Sequence, residues 1–171
     1  MGVRNHLVEG VSGTGKTAVC LELRRRGFPA VNGDRELAYQ GDPRTGAAVD
    51  GLSGLDVHAH HLWNAELVRE RAADRSEPVT FFCGGSRNVG AFLDLFDEVF
   101  VLTVDAATLD DRLDARAGDE WAGRGRTAER ALVRQLHASG ADTPPGTPID
   151  ATRPLSAVVD EILRRCGLLG A

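Results

Sequence analysis

The run Gly10-Val11-Ser12-Gly13-Thr14-Gly15-Lys16-Thr17 sets glycines ahead of a lysine and a hydroxyl residue, directly after a short apolar stretch, Leu7-Val8. A backbone that wraps a polyphosphate must turn tightly and aim successive N–H groups inward, in conformations that a β-carbon obstructs. The spacing G-x-x-x-x-G-K-[ST] meets that demand and reads as a phosphate-binding loop. Lys16 can then reach the β- and γ-phosphates of ATP, and the Thr17 hydroxyl can ligate Mg²⁺. Gly10, Ser12, Gly13, Thr14, Gly15, Lys16, Thr17 and Ala18 are the expected nucleotide contacts. Composition sharpens the reading, because nineteen of the twenty basic residues are Arg and the single lysine is Lys16. A compact ammonium suits a point contact with phosphate better than a planar fork does.

A phosphoryl donor needs an acceptor and groups that orient it. Asn32-Gly33-Asp34-Arg35-Glu36 ends a short second strand, and the carboxyl ends of parallel strands line the ligand crevice of a βαβ unit. Asp34 is therefore the acid expected to orient an acceptor hydroxyl and, with Thr17, to hold the metal. Arg35 stands beside it as a substrate contact. The alternative for Asp34 is a cap on a turn that starts at Arg35. Gly84-Gly85-Ser86-Arg87 follows the third strand, and Arg87 on that glycine turn can grip an anionic or hydroxylated substrate. Asp105 fits either a metal-organising acid or a helix N-cap. Arg112 and Arg116 lie four residues apart on one helix face. With Arg124, in the Gly-punctuated stretch 117–127, they can neutralise charge on a transferring phosphoryl group as a lid closes. The alternative is an exposed helix whose Asp110 and Asp111 pair with these arginines. His58-Ala59-His60-His61 lacks the i,i+4 spacing of a zinc helix, so it reads as a wall for the acceptor or the start of the next helix.

The elements that carry these residues alternate strand and helix. Strands are expected at 6–9, 28–31, 78–83, 98–105 and 148–150, and helices at 16–26, 62–73, 89–96, 128–138 and from 155 onward. Gly27 ends the first helix, and Arg24-Arg25-Arg26 reads as its solvated, dipole-complementing last turn. The final helix is expected to bury Leu155, Val158, Val159, Ile162 and Leu163. Residues 38–61 show little periodicity, and a connection of that length inside a domain is usually functional. The segment 35–63 is accordingly assigned to acceptor binding. The loop after the last strand, with Arg153 and Pro154, lies at the same edge as the phosphate loop and is placed to cover a base.

With 171 residues the chain is one domain's worth, so residues 1–171 read as a single α/β domain that buries roughly two-thirds of its unfolded surface. A net charge of −5 gives no basic field for nucleic acid. Cys20, Cys83 and Cys166 are odd in number and have no C-x-x-C spacing, which reads as reduced thiols. No signal-peptide pattern and no 18-residue apolar run is visible, so a cytoplasmic protein without a membrane span is expected. Its expected partners are ATP and a small molecule, and it would act as a monomer or homodimer.

In order, these segments resemble the P-loop small-molecule kinases, namely shikimate kinase, gluconate kinase, and adenylate kinase with other nucleoside monophosphate kinases. The resemblance spans nearly the whole chain. It implies a three-layer αβα fold with a five-stranded parallel sheet in order 2-3-1-4-5, an ATP and Mg²⁺ site, an acceptor region and an Arg-bearing lid. Gly33-Asp34 resembles the acid that, in shikimate and gluconate kinases, helps hold Mg²⁺ and the acceptor hydroxyl. Gly84-Gly85-Ser86-Arg87 is similar to the turn whose Arg binds the acceptor. Arg112-Leu113-Asp114-Ala115-Arg116 resembles the RLxxR before the lid, and Ile149-Asp150-Ala151-Thr152-Arg153-Pro154-Leu155 the loop that packs on adenine. Adenylate kinases carry an acid at the end of the third strand, where this chain has Cys83. The expected activity is transfer of the γ-phosphoryl of ATP to a hydroxyl of a small molecule. The alternatives are a nucleoside monophosphate kinase and a non-catalytic ATP-binding regulatory module.

Overall fold

Leu7, Val8, Phe81 and Phe82 are buried next to one another in sequence, and only a strand covered on both faces can satisfy such pairs. The computed structural model, which describes residues 4–116, 126–141 and 143–169, satisfies them with a parallel sheet. Its strands are β1 (Arg4–Glu9), β2 (Ala30–Asn32), β5 (Val79–Cys83), β6 (Glu98–Thr103) and β7 (Thr147–Asp150). They run in the order β2-β5-β1-β6-β7, all parallel. Counting only these five strands, the order is the expected 2-3-1-4-5.

Alternation along each strand sorts the core into two layers. Val8, Phe81 and Phe100 face helices α1 (Lys16–Arg25) and α7 (Leu155–Arg165), where Val19, Cys20, Leu23, Val159 and Ile162 complete the packing. Leu7, Val31 and Phe82 face the opposite layer, which holds Trp63, Val68, Phe92 and Phe96. Leu155 departs from expectation at 39% exposed, while the other four predicted residues of α7 are buried. The Arg24-Arg25-Arg26 run is a solvated helix end, as expected, with partners Glu36, Glu22 and Asp160 respectively.

The segment 35–63 differs most from the sequence reading. Short helix α2 (Gly33–Glu36) leads into β3 (Ala38–Gln40), which pairs antiparallel with β4 (His61–Trp63) as a separate hairpin. Between them lies one further turn of helix, α3 (Asp56–Ala59). The predicted helix over 62–73 is shorter, because Leu62 and Trp63 belong to β4 and Asn64 caps α4 (Ala65–Ala73) by accepting from Glu66 N and Leu67 N. The predicted helix over 89–96 is two 3-10 turns, Val89–Ala91 and Leu93–Leu95. Phe92 interrupts them at φ −150° and stacks its ring on Trp63, centroids 5.9 Å apart.

Trp63 fixes the hairpin to the sheet. A β-carbon at Gly33 would overlap its ring, and one at Gly84 would stand 2.6 Å from Cζ2. Asn88 clamps the Trp63 backbone, accepting from its N–H at 3.0 Å and donating to its carbonyl at 2.9 Å. Arg87 N donates to His61 O at 2.9 Å, so the turn after β5 runs along β4. The hairpin is thereby held against the carboxyl ends of β2 and β5.

On the other side of β1, α5 (Ala106–Ala115) is joined to α6 (Arg126–Ser139) by Asp110 with Arg134 and Asp114 with Arg130. The alternative reading, in which Asp110 pairs with the arginines of its own helix, is not what forms, since Asp110 faces α6 instead. The assigned lid, residues 117–127, falls largely outside the described residues, as does Arg124.

Candidate active site

The phosphate loop joins the end of β1 to the first turn of α1. Gly15 stands at the N-cap position with φ +105°, a left-handed conformation that glycine tolerates, and no side chain caps the helix. The first N–H groups of α1 are therefore free to meet an anion. Lys16 Nζ donates to Gly10 O at 2.5 Å and to Val11 O at 3.3 Å, which folds the ammonium over the loop. Burial pushes its pKa down, against the opposing pull of Asp34 and Glu9.

Two arginines of α5 tie this loop to its surroundings. Arg112 donates to Thr14 O at 2.9 Å and to Ala151 O at 2.6 Å, bridging the loop to the segment after β7. Arg116 Nη2 donates to the Ser12 hydroxyl at 3.0 Å. Beneath Arg112 lies a cavity of about 310 Å³ lined by Thr14, Gly15, Ala18, Ala151 and Arg153 among others, wide and mainly apolar enough for a base. Pro154 occupies the N-cap position of α7.

A second cavity of about 250 Å³ opens on the other side of Lys16. Asp34 projects into it from the first turn of α2 and accepts from His61 Nε2–H and from Gly85 N, both at 3.2 Å. Asp34 is inside α2 and does not cap it, because Asn32 holds the N-cap position. Burial opposes ionisation of Asp34, but the His61 hydrogen bond, the Lys16 charge and the Gly85 N–H outweigh it and hold the carboxyl below its usual range. Thr17, Lys16 and Asp34 line one recess beside this cavity. A hydroxyl and an ionised carboxylate facing phosphate positions suit Mg²⁺, which takes one or two protein oxygens and completes its shell with phosphate and water. Asp105 is instead the N-cap of α5, accepting from Thr108 N at 2.7 Å.

The three histidines diverge. His58 Nε2–H donates to Glu129 on α6 at 3.1 Å, His60 Nδ1–H to Asp56 O at 2.8 Å, and His61 to Asp34. Among the described residues no group of three or more His, Cys, Asp or Glu is placed to hold a metal. Arg87 lines the cavity, and its Nε donates to His58 O at 2.8 Å. Arg35 is exposed on α2 and lines neither cavity, because a four-residue helix turns it away one step after Asp34.

Glu9 is the site residue that sequence reasoning passed over. It ends β1, is 2% exposed and lines the same cavity, with Oε2 unpartnered. Burial raises its pKa to about 8, against the pull of Lys16 and Arg87 and with a smaller push from Asp34. The available signal was an acid set between the apolar pair Leu7-Val8 and the first glycine of the phosphate loop. Ser86, whose buried Oγ is also unpartnered, lines this cavity too.

No protein-family model matches the sequence, and no curated protein matches it. Solved structures match across almost the full length. A sugar kinase from a Janibacter species superposes with TM-score 0.58 at 18% identity, covering 97% of this chain and 95% of that one. A gluconokinase from Sinorhizobium meliloti gives 0.55 at 21%, with coverages of 94% and 90%. A shikimate kinase from Bacteroides thetaiotaomicron gives 0.59 at 18%, with 96% and 99%. At these identities the likeness defines the fold, a three-layer α/β P-loop architecture, and leaves the chemistry to the residues.

Proposed function

We propose that this chain transfers the γ-phosphoryl group of ATP to a hydroxyl of a small-molecule acceptor. The observation that carries the reading is the meeting of two halves at Lys16. A phosphate loop opens on one side to a base-sized cavity and on the other to a cavity holding an ionised, His61-tethered Asp34. The three similar structures described above, a sugar kinase, a gluconokinase and a shikimate kinase, agree with it.

The loop N–H groups and Lys16 bind the β- and γ-phosphates, so Lys16 exchanges the Gly10 and Val11 carbonyls for phosphate oxygens. Arg153 flanks the base, Arg112 braces the loop against the segment after β7, and Arg116 reaches the γ-phosphate from beside Ser12. Thr17 and Asp34 would hold Mg²⁺, which neutralises charge on the β- and γ-phosphate oxygens when bound. Asp34 accepts a hydrogen bond from the acceptor hydroxyl. The hydroxyl oxygen forms a bond to γ-phosphorus as the bond to the β–γ bridging oxygen breaks, and its proton passes to Asp34. His61 keeps the carboxylate aimed, and Arg87 contacts the acceptor. Arg124 would add a charge from the lid.

The reading includes a monomer or homodimer and a cytoplasmic location, to the latter of which the three buried, unbridged cysteines lend support. No helix among the described residues is long and apolar enough to cross a membrane.

An ADP-release screen over hydroxylated metabolites, nucleosides and nucleoside monophosphates tests the proposal. Acceptor-dependent ADP release, lost in Asp34→Asn while ATP still binds, supports it. Release with nucleoside monophosphates alone reassigns the acceptor to a phosphate, and tight ATP binding with no product from any acceptor favours a regulatory module.

A further inference from the structure

Two polar atoms on the acceptor side lack partners, and both line one cavity. Glu9 Oε2 and Ser86 Oγ are buried without a hydrogen bond. A buried polar atom left unpaired costs about 1–3 kcal/mol, and one whose residue lines a cavity can be satisfied by a molecule bound there. Asp34 lies close by. Gly85 donates its N–H to Asp34 Oδ1 at 3.2 Å, and a β-carbon on Gly85 would stand 2.9 Å from Glu9 Oε1. Glu9 and Asp34 thus both approach Gly85, on the wall of the same cavity.

Charge narrows the class of molecule. Lys16 and Arg116 are committed to the phosphate loop, through Gly10 O and Ser12 Oγ. Among the described residues, the acceptor half then presents the carboxyl groups of Glu9, Asp34 and Glu129 against the Arg87 guanidinium, with His58 and His61 bonded to two of those acids. The carboxylate of a hydroxy acid would lie among these acidic groups and, unlike a hydroxyl, brings no proton to an unpaired oxygen. Uncharged hydroxyls both donate and accept, so they fit Glu9 Oε2 and Ser86 Oγ alike.

We infer that Glu9 and Ser86 form the floor of an acceptor subsite that selects an uncharged polyol over a hydroxy acid. The reacting hydroxyl lies at Asp34 and further hydroxyls of the same molecule at Glu9 and Ser86. The inference rests on the phosphoryl-transfer reading for the identity of the reacting hydroxyl, but the binding preference is separable from it.

Saturation-transfer NMR with protein and a non-hydrolysable ATP analogue measures that preference without turnover, using D-ribose, myo-inositol and adenosine against D-gluconate and shikimate. The uncharged compounds are expected to bind and the acids to bind at least tenfold more weakly. Glu9→Ala and Ser86→Ala should each weaken the uncharged binder at least fivefold with analogue affinity unchanged. Glu9→Gln, which keeps shape with a neutral donor and acceptor, should weaken it less than Glu9→Ala and guards against misfolding. Binding of the acids with exclusion of all three uncharged compounds overturns the inference, as does unaltered affinity in both alanine variants, or no binding of any uncharged compound. Polyol binding without any ADP release in the metabolite screen would leave this preference intact and refute phosphoryl transfer.

Discussion

Replacing Glu9 by Gln removes the proton-binding group at the end of β1 while keeping its shape, and the consequence for stability depends on pH. Burial lifts the Glu9 pKa from an ordinary 4.5 to about 8. Below pH 4.5 the carboxyl is protonated in both folded and unfolded chains, so it carries no penalty. As pH rises from 4.5 to about 8 only the unfolded chain ionises, and stability falls by about 1.4 kcal/mol per unit. By pH 7 the deficit is roughly 3 kcal/mol, and it levels off above the folded pKa. Gln carries no such deficit. Urea unfolding followed by tryptophan fluorescence at intervals from pH 5 to 9 reads the difference between the two proteins, in which titrations remote from Glu9 cancel. The gap in favour of Glu9→Gln should widen steadily up to pH 8 and then hold. Two curves that run parallel across the range would refute a protonated, buried Glu9.

Other substitutions probe the scaffold and the transfer step. Lys16→Ala should lower acceptor-dependent ADP release by on the order of 10²–10³, the loss expected for one donor aimed at developing charge, without changing the unfolding midpoint by more than a few degrees. Gly33→Ala sets a β-carbon inside the Trp63 ring, so it should cost about 1–3 kcal/mol and, by moving β4, release His61 from Asp34. Thermal unfolding and the turnover rate should fall together. Asn64→Ala removes a cap that serves two N–H groups and should cost about 1 kcal/mol with turnover unchanged.

Much of this molecule was legible where one physical requirement dominates. The glycine loop, its lysine and the strand and helix on either side follow from how a backbone meets phosphate, and the apolar strands β5 and β6 follow from burial on both faces. Residues 38–61 were opaque because β3 and β4 have three residues each, too few for alternation to register, and because their pairing depends on Trp63 entering a slot between Gly33 and Gly84. The same tertiary packing explains the false helix over 89–96, where Phe92 turns onto Trp63 rather than following helical spacing. Asp34 could be placed at the site from strand order alone. Its partner His61 could not, since the two are 27 residues apart and meet only through the hairpin. Glu9 escaped notice because an acid at a strand end ordinarily faces solvent, whereas this one lies beneath Lys16 and Gly85.

Transfer itself is measured most directly by following γ-labelled ATP, with Mg²⁺ and the acceptor panel, into products separated by charge. Phosphoryl transfer predicts label in an acid-stable, phosphatase-sensitive ester of one acceptor, absent with Lys16→Ala and with Asp34→Asn. Label confined to ATP and inorganic phosphate, with Lys16→Ala binding ATP as tightly as the unaltered chain, would contradict it.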